Sequence, residues 1–151
     1  MDKGIYCLIF KNPGCTFRVG AIGALTFQAG WHIYIGSALG SGGLHRLRRH
    51  ILLAQLRDKQ PKWHVDYLLT SPFFSLDYSI HAVTKDRLEC RIAHELNGNN
   101  VPKFGCSDCS CSSHLLYRPD DPRQEIIAVF QELRLDPVIK TIINAQVKHY
   151  I

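Results

Sequence analysis

Gly4-Ile5-Tyr6-Cys7-Leu8-Ile9-Phe10 and Trp31-His32-Ile33-Tyr34-Ile35-Gly36 are the two stretches whose reading decides the fold. Both are short runs of β-branched, aliphatic and aromatic residues bounded by turn signals, and both read as strands. Asn12-Pro13-Gly14 ends the first. Between them, Phe17 to Phe27 carries glycines that suit a bulged or closely approached strand, and Gln28-Ala29-Gly30 reads as a turn. Three strands in an antiparallel meander are expected to open the chain.

Working outward, Gly36-Ser37-Ala38-Leu39-Gly40-Ser41-Gly42-Gly43 is a glycine-rich loop. Behind it Leu44, Leu47, Ile51, Ala54 and Gln55 recur at helical spacing to about Lys59, before Pro61. Arg46, Arg48, Arg49 and Arg57 fall on the other faces of this helix. Trp63 to Leu69 reads as a second helix ending before Pro72, and Leu76 to Val83 as a fourth strand. Asp86 is placed to cap a helix running through Leu96. A cysteine-rich loop follows, and from Pro122 the chain reads as one or two helices. The order βββ-αα-β-α, then a loop and a helical tail, predicts a mixed α+β class. The expected organisation is one domain over 1–151, with a core at about 4–117 and a tail at about 120–151.

Composition narrows the function classes. The 151 residues are 46% apolar and 21% charged, which excludes a disordered or low-complexity chain. A formal charge of +5 suits a polyanionic partner. The longest apolar stretch, Val19 to Phe27, is too short to span a bilayer, and no secretory leader pattern precedes it. Six cysteines, three of them in Cys106-Ser107-Asp108-Cys109-Ser110-Cys111, suit reduced thiols more than a disulfide framework. A cytoplasmic chain with no membrane partner is expected.

Several side-chain patterns carry chemistry, and each has a plain structural alternative. The glycine-rich loop can offer backbone N–H groups to an anion at a helix start, yet His45-Arg46 stand where a P-loop has Lys-Ser/Thr. Arg46 and His50, four apart, project from one side of the basic helix. Tyr6 and Tyr34 read as core aromatics with a wet hydroxyl or as functional phenols. Cys106-x-x-Cys109-x-Cys111-x-x-His114 has soft-ligand character that suits Zn²⁺, against a role in packing.

The triplets Gly4-Ile5-Tyr6 and Tyr34-Ile35-Gly36, followed by Arg46, His50 and the late Glu89, resemble the GIY-YIG nuclease superfamily. The finer resemblance is to its small stand-alone Uri-type branch, a conserved domain of unknown function. Tyr34 to Gly40, Gly42-Gly43-Leu44, Trp63 to Leu68, Phe104 to Cys109 and Ser113-His114-Leu115 carry it, and it covers roughly residues 4 to 117.

That resemblance implies a small three-stranded antiparallel sheet flanked by helices, with added helices and a Cys-rich loop. It implies phosphodiester hydrolysis with one divalent metal. Tyr6 is then the general base, its phenolate favoured by cationic Arg46 and a hydrogen bond from His50. Tyr34 positions water or a phosphate oxygen. Arg46 stabilises the phosphorane, with Arg48 or Arg49 as alternatives, and Glu89 holds Mg²⁺ or Mn²⁺, with Glu95 as a competitor. A supporting asparagine is sought among Asn97, Asn99 and Asn100. Arg48, Arg49 and Arg57, with Ser37 and Gly42 of the loop, are the expected DNA contacts. Trp63 and Tyr67 are read as packing, and His64 and Asp66 as structural, as supports behind the site residues, or as DNA-contacting. The expected function is a metal-dependent, structure-selective DNA endonuclease. The rivals are a zinc-stabilised, catalytically weak nucleic-acid-binding module and a protein-interaction domain.

Overall fold

The computed structural model describes residues 1–101, 104 and 114–142. Strand β1 (Gly4–Asn12) lies in the middle of a five-stranded sheet and is buried along almost its whole length. Ile5, Cys7 and Ile9 face one side, and Tyr6, Leu8 and Phe10 the other. Helices cover both sides, so this strand shows a continuous apolar run in place of alternation.

The sheet order is β6-β4-β1-β5-β7, and every pairing is antiparallel. Strand β4 (Gly30–Ala38) pairs with β1 in a register that sets Gly36 opposite Tyr6. Strand β5 (Ser75–Val83) lies on the other side of β1, with a shift of register at Ile9/Phe10. The α+β class is as expected, but the three central strands gain an edge strand on each side. These are β6 (Leu115–Arg118) beside β4 and β7 (Val138–Thr141) beside β5.

The opening meander does not form. Phe17 to Phe27 divides into β2 (Cys15–Val19) and β3 (Gly23–Phe27) around a 3₁₀ turn at Gly20–Ile22. Both strands alternate half-buried with exposed residues, so this hairpin makes its own two-stranded sheet and buries only one face. That face brings Phe17 and Phe27 against Phe74, which also meets Phe10.

Helices α1 (His45–Leu56) and α2 (His64–Thr70) cover the Tyr6 side. The buried stripe of α1 is Leu47, His50, Ile51 and Ala54, at the expected spacing. It ends at Leu56 because Arg57 takes a left-handed conformation and its N–H closes on the Leu53 carbonyl. Helices α3 (Glu89–Leu96) and α4 (Arg123–Glu132) pack on the Ile5 side. Asp86 does not cap α3: it sits in a turn, its N–H donating to Thr84 Oγ1, and the helix starts at Glu89. Among the described residues the tail is helical only in α4, and residues 143–151 of the expected helical tail lie outside them. Beyond α4 Asp136-Pro137 disfavours helix, and β-branched Val138, Ile139 and Thr141 pair with β5.

Gly36 is the packing constraint at the centre of the sheet. A Cβ there would lie 2.5 Å from Cζ of Tyr6, so any larger residue must push the tyrosine ring aside. Gly36→Ala is expected to destabilise the protein by about 1–3 kcal/mol through overpacking. In thermal melts this appears as a Tm lowered by several degrees; an unchanged Tm would mean that the ring yields freely.

Candidate active site

Strand β1 presents Tyr6 to α1, and the helical stripe of α1 presents His50 to Tyr6. The Tyr6 hydroxyl lies 2.9 Å from His50 Nε2, with both side chains buried. Trp63 stands edge-on to the imidazole, ring centres 6.1 Å apart. Asp66 fixes the start of α2 by accepting the N–H groups of Lys62 and Trp63 at 2.8 and 3.1 Å. Asp66 is therefore structural, as one of its readings had it. Trp63 is not core packing: it is 44% exposed, with the Arg46 guanidinium 4.6 Å from its ring centre and that of Arg49 at 5.8 Å. Tyr67 does pack, its ring close to Gly20.

Burial governs the protonation of the central pair. It pushes the Tyr6 phenol well above its ordinary range, and Tyr34 adds to that; Arg46 and Arg49 pull the other way, and Asp66 raises it again. The phenolate expected from Arg46 is thus outweighed, because removing a phenolate from water costs more than the nearby guanidinium returns. Burial likewise pushes His50 down to about 4, with Asp66 opposing and Arg46 and Arg49 assisting. Near neutral pH both groups are uncharged. We assign the Tyr6 hydroxyl as donor and Nε2 as acceptor, the reverse of the expected bond from His50.

The loop and α1 line a cleft of about 500 Å³ that reaches the pair only through Trp63, Arg46 and Arg49, since neither Tyr6 nor His50 lines it. Gly40 to Gly43 and His45 form one wall, and Arg46, Arg49 and Trp63 another. Part of the backbone at this helix start, the anion cradle in one of the two readings of the loop, is already engaged. The N–H groups of Gly43, His45 and Arg46 bond to carbonyls within the loop, and that of Leu44 bonds to the Asp2 carbonyl at 2.8 Å. Gly43 holds the turn with φ +56, its Cα against the first residues of the chain. Side chains add their own attraction for an anion. Arg46 is the best placed: its Nε is buried without a partner, and Nη1 makes only a 3.4 Å bond to the Ser37 carbonyl.

The other expected contacts divide. Arg48 and Arg49 are exposed on α1, and Arg49 lines the cleft. Gly42 lies on the cleft wall, and Ser37 is half-buried beside Arg46. Arg57 is engaged elsewhere, ending α1 and donating to the Phe74 carbonyl at 3.4 Å. Tyr34 shares the sheet face of Tyr6 and meets the edge of Phe104, whose ring also faces His64.

Glu89 does not join the other four. It begins α3, on the opposite face of the sheet. Helix α3 runs antiparallel to β4. Near its start Cys90 Sγ lies 3.5 Å from His114 Nε2, and the His114 carbonyl accepts the N–H of Ile35. At its end the Leu96 and Asn97 carbonyls accept Arg118, which pairs with Trp31. Glu89 therefore stands at the same end of the sheet as the glycine-rich loop, around the β4 edge from it. Its Oε2 is buried without a partner, and its carboxylate has a 4.0 Å ion pair with exposed Arg87. Glu95 is paired with Arg91 on the outer face of α3. Asn97, Asn99 and Asn100 follow the C-terminus of α3, at the far end from Glu89. Cys106, Cys109 and Cys111 lie outside the described residues, and among those described no group of three His, Cys, Asp or Glu is placed to hold a metal.

A family model described as "Domain of unknown function DUF123" matches residues 5–135. Neither the curated proteins nor the solved structures yield a match. Among the described residues no helix is long and apolar enough to cross a membrane.

The depressed His50 has a consequence for stability. Its unfolded-state pKa is near 6.5 and its folded value about 4, so between these the unfolded chain binds more protons. Stability is fully present above pH 6.5 and falls as the pH is lowered towards 4, with a loss of up to about 3 kcal/mol from this residue. Buried His32, also held at about 4, adds to the same window. Urea unfolding across this range is expected to show the fall, and His50→Gln to flatten its own share. An identical pH profile in the variant would show that His50 titrates normally.

Proposed function

The chain belongs to the DUF123 family, and from that premise we propose that it is a metal-dependent endonuclease of the GIY-YIG type, hydrolysing phosphodiester bonds in DNA of particular structure. The observation that carries the reading is the buried Tyr6–His50 bond beside an arginine-lined cleft. A buried, hydrogen-bonded phenol–imidazole pair near two guanidinium groups is suited to proton transfer, which binding alone does not call for.

In this reading the Tyr6 hydroxyl hands its proton to His50 Nε2 as its oxygen takes one from the attacking water. The imidazole, which burial keeps neutral at rest, holds the displaced proton only while negative charge develops on the phosphate beside it, and no charged tyrosine need exist beforehand. Arg46 meets the charge that develops on the phosphate, its guanidinium partly withdrawn from water and short of partners. Tyr34 orients the water or a phosphate oxygen from the same face. Arg48 and Arg49 hold the flanking backbone, and the net charge of +5 favours the encounter.

Glu89 fits a divalent cation, because its buried Oε2 has no protein donor to satisfy it. Glu89 would hold Mg²⁺ or Mn²⁺, which would supply positive charge to a phosphate that reaches the β4 edge from the arginine-lined cleft.

The test is cleavage of branched, flapped and single-stranded DNA with Mg²⁺ or Mn²⁺. Wild type is expected to nick at least one of these forms. Glu89→Gln and Tyr6→Phe should each lose about a hundredfold or more in rate, about 3 kcal/mol in the transition state, while still binding DNA. Wild-type rates in both variants, or no cleavage of any form by wild type, would overturn the proposal.

A further inference from the structure

We propose that Trp63 is a stacking platform for an unpaired nucleobase, which makes a single-stranded nucleotide the preferred occupant of the cleft. This deepens the nuclease reading and rests on it only for the class of ligand, nucleic acid.

Trp63 is a large apolar ring, 44% exposed, in the wall of an otherwise glycine-rich and cationic cleft. It is held there from below. The Asp66 carboxylate accepts the backbone N–H of Trp63, which fixes the main chain there, and the ring rests against Arg46, Arg49 and the edge of His50. A side chain whose place is set in advance loses little freedom on binding. Across the cleft the loop leaves space. A Cβ at Gly40 would meet nothing within 4 Å, and one at Gly42 only His45 at 4.0 Å.

Aromatic ring, adjacent guanidinia and an open facing wall match a nucleotide: the base on the ring, the phosphates on the arginines. Paired bases already have both faces covered by their neighbours, so a duplex can offer this ring only a frayed or flipped base. An acidic peptide or inorganic phosphate would use the arginines and leave the ring idle.

The experiment is equilibrium binding in the presence of a chelator, so that cutting cannot intervene. It compares a short single-stranded oligonucleotide, an abasic strand with the same number of phosphates, and a blunt duplex. The single strand is expected to bind about tenfold or more tightly than the abasic strand. Trp63→Leu should erase that difference while leaving the abasic strand within about twofold of wild type, and Trp63→Phe should recover part of it. Equal affinity for the normal and abasic strands would overturn the inference and leave a phosphate site only. So would an equal loss on both strands in Trp63→Leu, or no binding of any oligonucleotide. Cleavage without base-dependent binding would count against stacking alone, and base-dependent binding without cleavage against hydrolysis alone.

Discussion

A phenol and an imidazole hydrogen-bonded at 2.9 Å beneath a helix are what the rest of this site is arranged around. The bond requires β1 to turn Tyr6 towards α1, and β4 to place a residue without a side chain opposite it. It also requires α1 to bring His50 round on the buried stripe between Leu47 and Ile51. Each condition belongs to a different element, so the pair exists only when sheet register and helix rotation are both correct. Asp66 and Trp63 then close the far side of the imidazole by fixing where α2 begins.

Burial divides the site into a neutral interior and a charged mouth. Tyr6 and His50 give up water and with it their tendency to ionise, while Arg46 and Arg49 remain at the cleft. Arg46 bridges the two zones, with a buried, unpartnered Nε and a ring beneath its guanidinium. Glu89 approaches the same end of the sheet from the opposite face, so the arrangement meets at the end and edge of β4, not in a single pocket.

Strands β1 and β4 and helix α1 were legible in the sequence because their signals are local: uninterrupted apolar runs, and a repeat that returns every three or four residues. The closeness of Arg46 and His50 followed from that same helical period. Strands β6 and β7 were not legible, since four residues at an edge are strands only by virtue of a partner distant in sequence. The β2–β3 hairpin was misjudged because Gly20 and Gly23, read as a bulge within one strand, instead turn the chain between two. Trp63 was missed because an apolar residue at the head of a helix suggests packing; the clue was Asp66, three residues on, whose carboxylate fixes that turn and leaves the ring outside. The face on which Glu89 lies depends on how α3 crosses the sheet, which no local pattern encodes.

The claim that this buried pair is neutral and that Tyr6 donates to His50 is tested most directly by NMR of the His50 ring nitrogens as a function of pH. The account predicts an unprotonated Nε2 with the proton on Nδ1 near neutral pH, and titration only near 4. A His50 that titrates near 6.5, or that carries its proton on Nε2, would contradict it.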